Sequence, residues 1–265
     1  MSTVVITGST QGIGLGLARE FSSRGHNVVI SSRNQARVDA AVASLTDLPG
    51  HCIGLAGDTA ELGDVKALWA LAKENFDTVD IWINNAGLAR TTWPILDVPQ
   101  EELETMLRTN MFGTINGCRV AAAGMRDQGK GKLFNMLGGG SDGEYFPGLG
   151  IYGTTKRGLD YFTDALVKEL QNSEVIIGKI RPGMVITEAV IREAKANPEV
   201  FNKSRKTMKT LVDRVETVAP YLADQILAAD KSGIKIRWLT GGKIAGRFAR
   251  GMLSKRADQF EAFGL

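Results

Sequence analysis

Short runs of β-branched and aliphatic residues alternate along this chain with longer stretches whose apolar positions recur at helical spacing. The runs Thr3–Thr7, Asn27–Ser31, His51–Ala56, Val79–Ile83, Lys132–Met136, Val175–Ile180 and Lys235–Leu239 read as strands. The spacing between them predicts helices near 12–24, 34–45, 61–75, 101–127 and 151–171. Strands separated by helical segments imply right-handed crossovers, so the pattern predicts a doubly wound α/β fold, a mostly seven-stranded parallel sheet with helices on both faces. Ligands of such sheets bind beyond the carboxyl ends of the strands. Gly8–Gly14, Asp58, Asn84–Gly87, Gly138–Ser141 and Pro182-Gly183 each follow a predicted strand, so they should converge on one crevice.

The glycine segment carries the first chemistry. The strand Thr3–Thr7 leads into Gly8-Ser9-Thr10-Gln11-Gly12-Ile13-Gly14, and a helical pattern starts at once behind it. Glycines permit a tight turn and close backbone approach, while a helix N-terminus offers unpaired N–H groups to a pyrophosphate. The spacing is Gly-x-x-x-Gly-x-Gly rather than Gly-x-Gly-x-x-Gly; a purely structural turn is the alternative reading.

Tyr152 and Lys156 carry the second. Residues i and i+4 share a helix face, so an ammonium can stand beside a phenol whose free pKa is near ~10. A neighbouring cation favours phenolate and brings the group toward proton transfer at neutrality. Cofactor choice is read at the end of the second strand, where an acidic residue would select NAD through the ribose hydroxyls. Here stand Ser31-Ser32-Arg33-Asn34, with no carboxylate. Arg33 can stack on adenine and pair with a 2′-phosphate while Ser32 donates to it, so NADP(H) is preferred over NAD(H).

Composition narrows the class. At 265 residues and 43% hydrophobic, with no proline- or serine-rich linker, the chain is expected to form one domain over 1–265. It has no signal peptide pattern and no apolar run long enough to cross a bilayer, and two cysteines, Cys52 and Cys118, fit a reducing compartment. A cytoplasmic location is the resulting expectation. The only histidines are His26 and His51, and no Cys/His spacing suggests a metal site.

In these motifs the chain resembles the short-chain dehydrogenase/reductase family over nearly its whole length. The likeness rests on Thr7-Gly8-x-x-x-Gly12-x-Gly14, Asn84-Asn85-Ala86-Gly87, Asn110, Tyr152-x-x-x-Lys156 and Pro182-Gly183-x-x-x-Thr187, in that order. The resemblance implies a Rossmann fold and a reductase in which Tyr152 exchanges the proton with the substrate oxygen. It implies that Lys156 holds the nicotinamide ribose and lowers the tyrosine pKa, and that Asn110 anchors a water relay. It further implies that Asn85, Ala86 and Gly87 support the adenosine side, that Asp58 bonds the adenine amine, and that Val185 and Thr187 meet the carboxamide and diphosphate. Relatives pair through the helices near 101–127 and 151–171, so a homodimer or homotetramer is implied. The segment 187–217 is implied to be the substrate lid; it reads as polar and irregular.

One position departs from the family. The serine that normally helps hold the substrate oxygen is replaced by Gly138 or Gly139, depending on the alignment; Ser141, in the same glycine loop, is the expected substitute. A backbone N–H or a water is the alternative. Phe134-Asn135-Met136, the following Gly-Ser-Asp-Gly, and the stretch around Trp238-Leu239-Thr240 resemble the chlorophyll b reductases, which reduce a ring formyl group with NADPH. Leu137 departs from the acidic residue of that subgroup, and no organelle-targeting extension is evident. The expected substrate is therefore a lipophilic carbonyl compound, either that pigment or another hydrophobic ketone; a non-catalytic NADP-binding sensor or scaffold is the rival reading. From Lys231 to Arg256 there are eight basic residues and no acidic one. Within this C-terminal extension (240–265), Ile244, Phe248 and Met252, flanked by Ala245 and Ala249, form an apolar stripe. Such a helix either lies on an anionic membrane surface or packs on its own domain or a sister subunit. No motif points to nucleic acid.

Overall fold

The computed structural model describes residues 1–89, 93–196, 198–253 and 256–265, without the side chains at 200, 204, 206, 207, 252 and 253. Seven parallel strands form the central sheet: β1 (Thr3–Ile6), β2 (Asn27–Ser32), β3 (Cys52–Ala56), β4 (Ile81–Asn84), β5 (Gly131–Met136), β6 (Val175–Arg181) and β9 (Lys235–Arg237). Their order is β3-β2-β1-β4-β5-β6-β9, so the direction of winding reverses between β1 and β4. A reversal leaves a crevice beyond the strand ends, and the Gly8 and Asn85 segments leave β1 and β4 there.

Strand residues alternate between two faces, and each face has its own core. Val4, Ile6, Val28 and Ile30 pack with Leu17 and Phe21 of α1 (Gly12–Ser23) and Leu222 and Ile226 of α9 (Val215–Ala228). Val5, Val29 and Trp82 pack with Leu68 of α3 (Leu62–Phe76) and Ala121 and Met125 of α5 (Gly113–Gln128). The first face is completed by α2 (Gln35–Ala43), through Val38 and Ala41.

A buried polar chain fastens the second face to α6 (Gly150–Glu169). Trp82 Nε1 donates to Asn84 Oδ1 (2.8 Å), and Asn84 Nδ2 donates to Asn135 Oδ1 (2.9 Å) and to Cys118 Sγ (3.3 Å). Asn135 Nδ2 then donates to Thr163 Oγ1 on α6 (3.0 Å), whose hydroxyl donates to Leu159 O. A satisfied network of this kind pins register where apolar contacts alone would tolerate a slip. Burial pushes the Cys118 thiol up to about 12 and the Cys52 thiol up to about 11, so both are packing groups rather than nucleophiles.

The structure corrects the sequence reading in three places. The predicted helix 101–127 is α4 (Gln100–Leu107) and α5 joined by a π-helical turn at Arg108–Phe112. The segment read as irregular is mostly helical: β7 (Val185–Ile186), α7 (Glu188–Ala196), α8 (Pro198–Leu211) and β8 (Asp213–Arg214). Its sparse apolar residues find each other in space, Phe201 meeting Phe260 edge-on at 5.0 Å within a small core that includes Ile186, Ala194 and Val212. The third difference is α9, which the strand–helix alternation did not mark.

Gly117 lies so close to this network that an added Cβ would stand 1.9 Å from Asn84 Oδ1. Gly117→Ala should therefore displace a buried acceptor and lower unfolding free energy by about 2–4 kcal/mol in a denaturant titration. An unchanged midpoint would show that the network does not constrain the fold.

Candidate active site

The glycine turn follows from steric demands. Gly8 and Gly12 have φ of 60° and 56°, conformations that disfavour side chains. A Cβ on Gly8 would fall 2.7 Å from Ala86 Cα, so the turn lies directly against the segment leaving β4. Asn85 holds it there, its Nδ2 donating to Thr7 O and Gly8 O at 2.9 Å each. Thr7 Oγ1 accepts from the backbone N–H groups of Asn85 and Ala86. Gln11, at the N-terminus of α1, makes no side-chain cap, which leaves the first turn of amides facing the crevice.

That crevice, about 460 Å³, is lined by Gly8, Thr10, Gln11, Gly12, Ile13, Ser32, Arg33, Asp58, Asn85, Ala86, Gly87, Tyr152, Lys156, Pro182, Gly183, Val185 and Thr187. Seventeen of the expected site residues are thus brought together along one cleft. Ser9 and Gly14, expected to bind cofactor, stand behind it. Ser9 Oγ donates to Ile6 O and accepts from Ser31 N, tying β1 to β2. A Cβ on Gly14 would be 2.5 Å from Asn85 Nδ2, so this glycine serves helix-to-turn packing.

At the deep end, Lys156 is buried and its Nζ donates to Met136 O, the last carbonyl of β5, at 2.9 Å. Burial pulls its pKa down to about 8. Nζ is 5.7 Å from the centroid of the Tyr152 ring. Burial pushes the Tyr152 phenol up to about 12, against the opposing charge of Arg181. The expected lowering by Lys156 is therefore not realised in this arrangement, because the ammonium is turned to a strand carbonyl and desolvation dominates. Asn110 sits in the π turn, fully buried: its Oδ1 accepts from Leu88 N (2.7 Å), and its Nδ2 donates to Leu88 O (2.9 Å) and Thr155 Oγ1 (3.1 Å). It braces the Gly87 strand end against α6 and does not itself line the crevice. The turn also departs from α-helical bonding, Gly113 N–H reaching back to Arg108 O.

Ser141, expected to replace the missing hydroxyl, does not line the crevice. Its Oγ is buried with no partner among the described residues, and its carbonyl accepts from Arg157. The phenol packs on Gly138, where a Cβ would lie 2.1 Å from the Tyr152 hydroxyl oxygen, and the loop then turns at Gly140 (φ 86°), packed on Gly153 of α6, before it reaches Ser141. The loop that follows is clamped by charge. Asp142 pairs with Arg181, Lys235 and Arg237, and Glu144 pairs with Arg181. Burial raises the Asp142 carboxyl, but hydrogen bonds from Lys235 and Arg237 and the charge of Arg181 outweigh it and hold it well below the usual range.

At the other end, Arg33 and Arg37 line the cleft, and neither has an ion pair among the described residues. Arg37 escaped the sequence reading; its place one helical turn beyond Arg33 was the available signal. Ser31 Oγ is buried, lines the cleft and has no partner among the described residues. Asp58 accepts from Ala60 N at 2.9 Å, a turn bond, while still facing the cleft.

The sequence model of the family described as short chain dehydrogenase matches residues 2–198. The chain is 38% identical to the chloroplastic chlorophyll(ide) b reductase NOL of Arabidopsis thaliana over 97% of its own length and 76% of the relative's. It is equally identical to the NOL protein of Oryza sativa subsp. japonica, over 98% and 78%. Among solved structures it superimposes on a variant of actinorhodin polyketide ketoreductase with NADPH, with a TM-score of 0.82, 22% identity and coverage of 91% and 97%. Both plant relatives are chloroplastic, which overturns the expectation of a cytoplasmic location.

Two outcomes check this geometry. Gly138→Ser should displace the phenol rather than restore a missing donor, lowering kcat at least about tenfold; a rise in kcat would contradict the packing. Lys156 binds fewer protons folded (pKa about 8) than unfolded (10.5), so its contribution to stability should grow as pH rises from about 8 toward 10.5. Lys156→Met should remove that slope from urea titrations repeated across this window, and an identical slope would contradict the burial of the ammonium.

Proposed function

This chain belongs to the short-chain dehydrogenase family, and on that premise we propose that it is an NADPH-dependent carbonyl reductase acting on a lipophilic aldehyde or ketone, foremost the formyl group of chlorophyll b. The observation that carries this reading is that Tyr152 and Lys156 line the glycine-turn crevice together, with Nζ 5.7 Å from the centroid of the phenol ring.

The residues fit a dinucleotide. The left-handed glycines 8 and 12 keep the turn tight against Ala86 and Thr187 while lining the crevice, and the uncapped first turn of α1 begins there. Ser31 Oγ is an unpartnered hydroxyl suited to the adenosine end. Gly8, Thr10, Gln11, Gly12 and Ile13 would hold the diphosphate, Asp58 and Ala86 the adenosine, and Val185 and Thr187 the carboxamide side. Arg33, with Ser32 and Arg37, would hold a 2′-phosphate, since no carboxylate stands at that end of β2. When bound, the cofactor supplies the hydride. Tyr152 would deliver a proton from its hydroxyl oxygen to the substrate oxygen, Lys156 would share the ribose and pass a proton back toward the phenol, and Asn110 would anchor a water relay behind the lysine. With no side chain at 138, the second donor to the substrate oxygen is a backbone N–H of the Gly138–Gly140 turn or a water. The two chlorophyll(ide) b reductases similar to this chain support the pigment as substrate. Exposed Phe112 and Tyr161, beside α5 and on α6, support pairing of copies through these helices into a homodimer or homotetramer.

Purified protein should oxidise NADPH in the presence of chlorophyll b or a hydrophobic aldehyde, and Tyr152→Phe should lower kcat about 10²–10⁴-fold with cofactor binding intact. Arg33→Gln should raise the KM for NADPH about tenfold or more and leave that for NADH nearly unchanged. Tight NADPH binding without turnover on any carbonyl, or full activity in Tyr152→Phe, would reject the reductase and favour a cofactor-binding scaffold.

A further inference from the structure

The amphipathic C-terminal helix α10 (Gly241–Leu253) is seated the opposite way from an ordinary surface helix. It packs on α8 through its basic side. Arg247 donates to Leu211 O (2.8 Å) and Asp213 (2.7 Å), and Arg256, just beyond the helix, donates to Val212 O (2.7 Å) and to the same carboxylate. Lys243 lies over the Trp238 ring. Most of the described apolar stripe faces out: Phe248 is 47% exposed, Ala245 and Ala249 are exposed, Ile244 is half-buried, and none of them belongs to a buried cluster. Met252, expected in the stripe, lies outside the described side chains, and Lys255 outside the described residues.

Beside the stripe runs an open groove of about 510 Å³ lined by Lys243, Arg247, Arg250, Arg256 and three glycines. Nothing lies within 4 Å of where a Cβ would stand on any of those glycines, so a ligand can approach the helix backbone. Of the four cations only Arg247 and Arg256 pair with a carboxylate, Asp213, and Arg250 has no ion pair among the described residues. A cationic groove next to exposed apolar side chains, at the edge of the lid helix, matches a surface with negative headgroups over an apolar interior. A second copy of this chain would bring its own cations to the same groove. We propose that α10 docks the protein on an anionic lipid bilayer, the groove taking phosphate headgroups while Phe248 enters the acyl boundary. This deepens the reading of a lipophilic substrate by placing it in the bilayer, and rests on that reading only for its purpose, since docking is measured without turnover.

The test is co-sedimentation of the full chain with vesicles of phosphatidylcholine alone or mixed with phosphatidylglycerol, at low and at physiological salt. Partition onto the anionic vesicles only, weakened by salt, is the expected result. Each cation removed costs about fivefold, so Lys243→Gln with Arg250→Gln should bind about 25-fold more weakly. Neither of these residues anchors Asp213, and unchanged NADPH binding checks that the double variant folds. Phe248→Ser should also weaken partition. Absence of binding to anionic vesicles, equal binding to both kinds, or full binding by the double variant overturns the proposal. Binding of inorganic phosphate in a titration, without vesicle partition, also overturns it and assigns the groove to a soluble anion.

Discussion

A lysine ammonium, shut away from water, donates to the last carbonyl of a central strand. Lys156 and Met136 O, 2.9 Å apart, join α6 to β5, the strand next to β4 where the sheet reverses. Leaving a buried cation without a partner is costly, so α6 can take only a narrow range of positions that keep this bond. The Asn135–Thr163 hydrogen bond, two turns further along the helix, sets the same register from the other side. With α6 so placed, helical geometry leaves Tyr152 nowhere but the crevice, one turn earlier on the same face.

Gly138 is the second half of that constraint. The phenol oxygen packs where a Cβ at 138 would stand, so no side chain at that position orients it and its place depends on the loop. The carboxylate of Asp142, gripped by three cations from β6, β9 and their ends, holds that loop to the sheet. Arg181 has two roles here: it anchors Asp142 and Glu144, and its charge opposes the burial that raises the phenol. Burial outweighs that charge, so the phenol keeps its proton at neutral pH.

Much of this was legible in the sequence because it depends on local spacing. The seven strands were marked by β-branched runs, the turn by glycines 8 and 12, and the Tyr152–Lys156 face by a separation of four. What was not legible depends on long-range packing. Nothing local says that Ser141 lies off the cleft, since the loop's course depends on packing against α6, Tyr152 on Gly138 and Gly153 on Gly140. Helices α7 and α8 read as irregular because Ala194, Phe201 and Met208 are too sparse to announce a buried face until Phe260 closes over them. The π turn at Asn110 was hidden inside an unbroken helical pattern. The seating of α10 inverts its own amphipathic signal, because Asp213, which attracts its basic side, lies far away in sequence.

The most direct measurement is a crystal structure of the chain with NADP⁺. The account expects the nicotinamide end beside the Tyr152 hydroxyl, a ribose hydroxyl within hydrogen-bond reach of Lys156 Nζ, and the 2′-phosphate between Arg33 and Arg37. A dinucleotide bound elsewhere, or a phenol turned away from it and screened by protein, would contradict the account.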